Sequence, residues 1–116
     1  MTVRWKALGR LKSGQMNQTE ARYAQYLSVL KQEGRVIDWW FEGITLKLAD
    51  GLRYTPDFLV MTGECALELH EVKGARAIFR DDAKAKVKMA AEKFPFTVRV
   101  VYPVKGRSNS WEVEDY

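Results

Sequence analysis

One run, Tyr54 to Gly74 (YTPDFLVMTGECALELHEVKG), limits the possible folds more than any other stretch of the chain. Apolar residues alternate on both sides of Thr62-Gly63-Glu64. This pattern predicts one β-hairpin, with strands near 52–61 and 66–73. Folded about Glu64, the hairpin sets Asp57 opposite Glu71 with their Cβ atoms roughly 5 Å apart. Lys73, two positions beyond Glu71, projects from the same side of the sheet. Pro56 has no N–H to give to a strand ladder, so it implies a bulge or lost pairing beside Asp57 and room for an ion there. A simple edge-strand proline is the competing interpretation.

The face that carries Asp57, Glu71 and Lys73 also carries Leu59, Met61, Leu67 and Leu69. The charged trio therefore ends an apolar row. Directly opposed like charges destabilise a strand pair by up to about 1 kcal/mol, and Lys73 offsets part of that. A divalent cation between the carboxylates would offset more, because Mg²⁺ prefers carboxylate and carbonyl oxygens. The pattern reads as a metal site. His70 is the single histidine; it neighbours Glu71 but faces the other side, which makes it a structural residue.

The flanking segments supply helices and further strands. Asn17 as N-cap and Gly34 as stop bound a helix over Gln18–Glu33, with Tyr23, Ala24, Leu27 and Leu30 as its apolar stripe. The cluster Trp39-Trp40-Phe41 suits a core or a subunit interface better than a base-stacking surface. Ile44, Leu46 and Leu48 alternate as a strand. A three-residue loop, Ala49-Asp50-Gly51, would pair Leu48 with Leu52 and Leu46 with Tyr54, with Gly51 left-handed. A second helix runs from about Asp81 to Phe94 and stops at Pro95, with both acidic residues of its first turn favoured by the helix dipole. Thr97–Tyr102 is a strand, and strand–helix–strand implies a parallel crossover beside the Glu71 strand. Residues 108–116 form an acidic tail that can add an edge strand. The predicted fold is α/β, in the order α-β-β-β-α-β, a mixed sheet flanked by two helices.

The 116 residues are 47% hydrophobic and 29% charged, enough for one globular domain and unlike a disordered chain. No run approaches the roughly 18 apolar residues of a membrane span, and the N-terminus has no apolar signal core. Cys65 is alone, which excludes an intrachain disulfide and a cysteine-based zinc site. A cytoplasmic protein without a membrane partner is expected. The formal charge of +4 is unevenly spread. Residues 1–16 are a basic arm containing Arg10 and Lys12, residues 17–72 are acidic, and residues 73–107 are strongly basic. A carboxylate centre flanked by basic segments suits a phosphodiester substrate, although uneven surface charge alone gives the same profile. Lys84 and Lys88 align at i, i+4 and, with Arg76 and Arg80, are expected to border the substrate groove.

Pro56-Asp57, followed after a hairpin-length gap by Glu71-Val72-Lys73, resembles the PD-(D/E)xK nuclease superfamily. The wider pattern is most similar to its small phage members, which include Holliday-junction-resolving endonuclease I. It comprises an early helical Glu, strands bearing Asp and Glu-x-Lys-Gly, a Lys-rich helix and a closing strand, and it covers about residues 17–102. The resemblance implies a restriction-endonuclease-like core over residues 17–107 and Mg²⁺- or Mn²⁺-dependent hydrolysis of DNA that leaves phosphate on the 5′ end. It implies metal ligands at Asp57, Glu71 and the Val72 carbonyl, with Lys73 assisting the attacking water. Glu20 has two competing roles. Asn17-Gln18-Thr19-Glu20 fits a capping box, whereas the family's helical Glu is a further ligand; beside the Asp57/Glu71 pair the ligand role is taken first. Cutting two strands with one small domain suggests a homodimer. The rivals are a non-catalytic nucleic-acid-binding protein with a vestigial metal site, and an interaction protein that uses Trp39, Trp40 and Phe41.

Overall fold

The structure, a computed structural model, describes residues 14–79 and 81–116. In chain order the elements are α1 (Gln18–Gln32), β1 (Val36–Phe41), β2 (Leu46–Ala49), β3 (Leu52–Tyr54), β4 (Phe58–Thr62), β5 (Leu67–Val72), a 3₁₀ turn (Arg76–Ile78), α2 (Asp81–Lys93), β6 (Thr97–Pro103) and β7 (Trp111–Asp115). Five strands form one sheet in the order β1-β4-β5-β6-β7, and β2 with β3 forms a separate pair. β5 and β6 run parallel, while the other neighbours in the large sheet are antiparallel. The fold is α/β, with a mixed sheet and two helices. Among the described residues no helix is long and apolar enough to cross a membrane.

The central hairpin takes the predicted register: Phe58 pairs with His70, Leu59 with Leu69, Val60 with Glu68 and Met61 with Leu67. Its extent differs from expectation. The single strand expected over 52–61 is two strands in two different sheets, β3 and β4. Pro56 lies in the break, fully buried, and having no N–H it cannot carry a ladder through that point.

β1 is an element the sequence reading did not identify as a strand. It pairs antiparallel with β4, setting Trp39 opposite Val60 and Phe41 opposite Phe58. The rings of Trp39 and Phe41 lie 5.6 Å and 5.4 Å from that of Phe58, so alternate aromatics of the cluster enter the core. Trp40, on the other side of the strand, stays 41% exposed. The small hairpin pairs Leu46 with Tyr54 as predicted, but Ala49 rather than Leu48 stands opposite Leu52. Leu48 is the extra residue of a bulge, which leaves a two-residue turn at Asp50-Gly51 with Gly51 at φ +75. The C-terminal acidic residues pair with β6 as the edge strand β7.

Both faces of the large sheet are covered, as a parallel β5–β6 pair requires. On one face α1 lays Tyr23, Ala24 and Leu27 over Phe58, Val60, Val72 and Val101. On the other, Val87 and Ala90 of α2 join Leu46, Leu48 and Tyr54 of the small hairpin over Leu69, Val98 and Val100. Burying a side chain such as Phe58 contributes about 1.5–3 kcal/mol. The small hairpin thus serves as part of a layer lying on the sheet, and this places Tyr54 above the end of β5.

Candidate functional site

The site begins where the β4–β5 ladder ends. Phe58 and His70 are its last pair, and Asp57 and Glu71 come next with no backbone ladder between them. The Asp57 carbonyl turns towards β1, accepting from the Glu42 amide at 2.7 Å. Its carboxylate instead crosses to β5, where Oδ2 accepts from the Val72 N–H at 2.8 Å. A side chain has replaced the missing strand contact. In an extended residue the N–H and C=O point to the same edge, so the Val72 carbonyl faces Asp57 as well. Beyond Val72 the strand is still anchored to β6, since the Lys73 amide donates to the Val101 carbonyl at 3.0 Å.

Glu71 is 8% exposed, an unusual depth for a carboxylate, and two side chains hold it. The Tyr54 hydroxyl donates to Oε1 at 2.7 Å, and the Lys73 ammonium lies 3.3 Å from Oε2. Lys73 also lies 5.9 Å from the centre of the Phe79 ring, and Lys84 of α2 approaches the same ring at 5.6 Å. Burial first, and then the Glu71 charge, push the Asp57 carboxyl well above the usual carboxylate range. The Val72 N–H and Lys73 oppose that shift, and Glu20 adds to it. Burial and the Glu71 charge push the Tyr54 hydroxyl upward too, which keeps it a proton donor.

The remaining predicted residues are placed as follows. The Glu20 charge is felt at Asp57, while the Glu20 carboxylate is engaged within its own helix. It completes the capping box: its Oε1 accepts from the Asn17 N–H at 2.9 Å, while Asn17 Oδ1 accepts from the Glu20 N–H at 2.8 Å. Of the two roles the sequence offers Glu20, this local contact is the one formed here, in which each residue satisfies an otherwise unpaired amide of the first turn. Among the described residues no three His, Cys, Asp or Glu side chains converge as a metal cluster. Arg76 is tied to β7 by Glu112 at 3.2 Å and Glu114 at 2.9 Å and stacks 4.5 Å from the Tyr102 ring, so its charge is largely neutralised within the protein. Lys88 is exposed. Arg10, Lys12 and Arg80 lie outside the described residues.

Two contributors were missed. The sequence pattern pairs Tyr54 with Leu46 in a strand; its reach to Glu71 follows from the small hairpin folding over the sheet. Lys86 lines a cleft of about 260 Å³ with Tyr54, Thr55, Glu71, Asp82 and Ala83. A signal for it existed, since Lys86 follows the inward Ala83 by three residues and so shares its side of α2. His70 behaves as expected: buried on the opposite face, it meets the Tyr23 hydroxyl through Nδ1 at 2.6 Å and Glu68 through Nε2 at 2.9 Å.

The arrangement presents two carboxylates, one of them resisting ionisation, a carbonyl and an ammonium around one strand end. Such a set can bind a hard cation and carry charge near a phosphate. No protein-family profile matches the chain, and no curated protein or solved structure is significantly similar to it.

Proposed function

We propose that the chain is a divalent-metal-dependent deoxyribonuclease with a restriction-endonuclease-like core. The observation that carries this reading is the meeting of Asp57, Glu71 and Lys73 at the broken end of β4 and β5, where burial and the Glu71 charge hold the Asp57 carboxyl well above its usual range and Lys73 lies 3.3 Å from Glu71. The donor set fits Mg²⁺ or Mn²⁺. It consists of carboxylate and carbonyl oxygens from Asp57, Glu71 and Val72, and Mg²⁺ ordinarily takes one or two carboxylates and fills its remaining positions with water and phosphate oxygens. When bound, such a cation supplies a more acidic water and neutralises charge on the scissile phosphate.

The protein's own residues do the positioning. Asp57, fixed by the Val72 amide, and Glu71, fixed by Tyr54, hold their oxygens on one strand end. Lys73 places a cation beside Glu71, where it orients the attacking water and stabilises charge on the phosphorane-like transition state. The water oxygen bonds to phosphorus, the P–O3′ bond breaks, and the products are a 5′ phosphate and a 3′ hydroxyl. Two copies of the chain would cut two strands.

The test is incubation with branched, duplex and single-stranded DNA, with and without Mg²⁺ or Mn²⁺. The expected result is metal-dependent cleavage that falls by about 10²–10³-fold in Lys73→Ala and is lost in Asp57→Asn, while binding persists. Metal-independent binding with no cleavage of any substrate would establish the non-catalytic alternative instead.

A further inference from the structure

A second cleft, of about 570 Å³, is lined in part by the loop that follows β5. Its walls include Arg22 from α1, Gly74 and Arg76 from that loop, Tyr102 at the end of β6, Lys105 in the β6–β7 turn, and Glu112. We propose that this cleft grips the phosphodiester backbone of the nucleic-acid strand running out of the hydrolytic site, with Arg22 and Lys105 as its phosphate contacts. The proposal rests on the nuclease reading for the origin of the strand.

Position is the first argument. Gly74 directly follows Lys73, so the cleft starts one residue from the proposed chemistry. Its volume falls within the roughly 300–1,000 Å³ of ligand clefts.

Charge is the second argument. Arg76 is already engaged by Glu112 and Glu114 and stacked on Tyr102, so it serves as one wall of the cleft. Arg22 and Lys105 have no ion-pair partner among the described residues, and both are exposed. They come from elements far apart in sequence that converge on one opening, leaving it with two available cations against the partly neutralised Glu112. A polyanion with spaced charges matches that opening.

Gly74 is the third argument. Its φ lies outside the left-handed region. A Cβ placed there would meet Ile78 and Thr19 only at 3.6 Å and 3.9 Å, which is ordinary contact. The fold does not demand a glycine at this point, so the residue is free to be read as part of the cleft wall.

The experiment is fluorescence anisotropy of labelled single-stranded and duplex oligonucleotides with the full chain, in chelator, over about 50 to 200 mM salt. Arg22→Gln/Lys105→Gln is compared with wild type and with Lys47→Gln, whose side chain pairs with Asp50 on the small hairpin. The double variant is expected to bind roughly tenfold or more weakly, with a log–log salt slope shallower by roughly 1.4–1.8. Lys47→Gln should match wild type, and all three should share one melting temperature, since the altered side chains are exposed. Unchanged affinity and slope in the double variant would overturn the proposal even where wild type cleaves DNA with Mg²⁺. So would equally tight binding of polyglutamate, which would mark a general anion patch. Weakened binding by the double variant alongside a wild type that never cleaves supports the cleft and removes the nuclease reading, so the two failures are distinct.

Discussion

The Asp57 carboxylate accepts the Val72 amide at 2.8 Å, one step beyond the last ladder pair, Phe58 and His70. The same side chain therefore closes the frayed hairpin end and faces Glu71. These two duties respond differently to loss of charge.

Asp57→Asn keeps an acceptor for Val72 and removes the repulsion. In chelator at neutral pH the variant is expected to be more stable than wild type by about 1 kcal/mol, seen as a melting temperature higher by about 4 °C. The sign with pH follows from the upward shift of Asp57. Unfolded, it releases its proton near the ordinary value of about 3.9; folded, it holds the proton to higher pH. Stability contributed by this group therefore falls as pH rises above about 4, until the folded carboxyl has ionised too. Melting curves from acid to neutral pH should show that slope in wild type and not in Asp57→Asn. A variant no more stable than wild type would count against the crowded-carboxylate picture.

Tyr54→Phe removes the hydroxyl that holds Glu71 Oε1 while keeping the ring in its buried place. Loss of a buried hydrogen bond to a charged group costs about 1.5–3 kcal/mol. If Glu71 is a ligand, loosening its support should also weaken Mn²⁺ binding by about 10–100-fold, read by calorimetry without DNA. Unaltered Mn²⁺ affinity would leave Tyr54 a packing residue.

Glu20→Gln separates the two roles of Glu20. Glutamine can still accept from the Asn17 amide, so the capping box and the helix should persist with little change in stability. Removing the Glu20 charge also relieves part of the upward push on Asp57, so the acid-to-neutral stability slope should flatten slightly. Mn²⁺ affinity within a factor of about 2, roughly 0.4 kcal/mol, matches the observed cap; a tenfold loss would mean that Glu20 leaves the cap to bind metal.

His70 supplies the opposite pH signature. Its lowered affinity for protons comes first from burial, with Arg99 adding to it and Glu68 opposing it. The carboxylate of Glu68 only accepts, so Nε2 carries the ring proton and Nδ1 accepts from Tyr23. Below about pH 6.5 the unfolded ring gains a proton that the folded ring resists, so stability falls as pH drops through that value. His70→Gln should lack this fall and be less stable at neutral pH by about 1–3 kcal/mol, measured by urea unfolding at several pH values.

Much of the frame was legible in the residues. Alternation on either side of Thr62-Gly63-Glu64 fixes one register, because a one-residue slip would turn Leu69 and Val60 to the wrong faces. Asn17 and Gly34 mark the limits of α1 through local backbone demands, and Pro56 marks the end of a ladder. β1 escaped notice because Val36-Ile37 and Trp39-Trp40-Phe41 are apolar runs without clean alternation, and periodicity does not separate strand from buried cluster in such a run.

Local chemistry by itself determined the hairpin, the helix caps and the nearness of Asp57 to Glu71, because each depends on neighbours a few residues away or on a turn that mirrors them. Packing between distant elements decided the rest. Tyr54 reaches Glu71 across 17 residues and Arg76 reaches Glu114 across 38, the first because the small hairpin leaves the sheet and lies over it, the second because the last strand closes the opposite edge. Glu20 bonds an amide three residues away without leaving its helix, a contact that needs nothing beyond its own first turn.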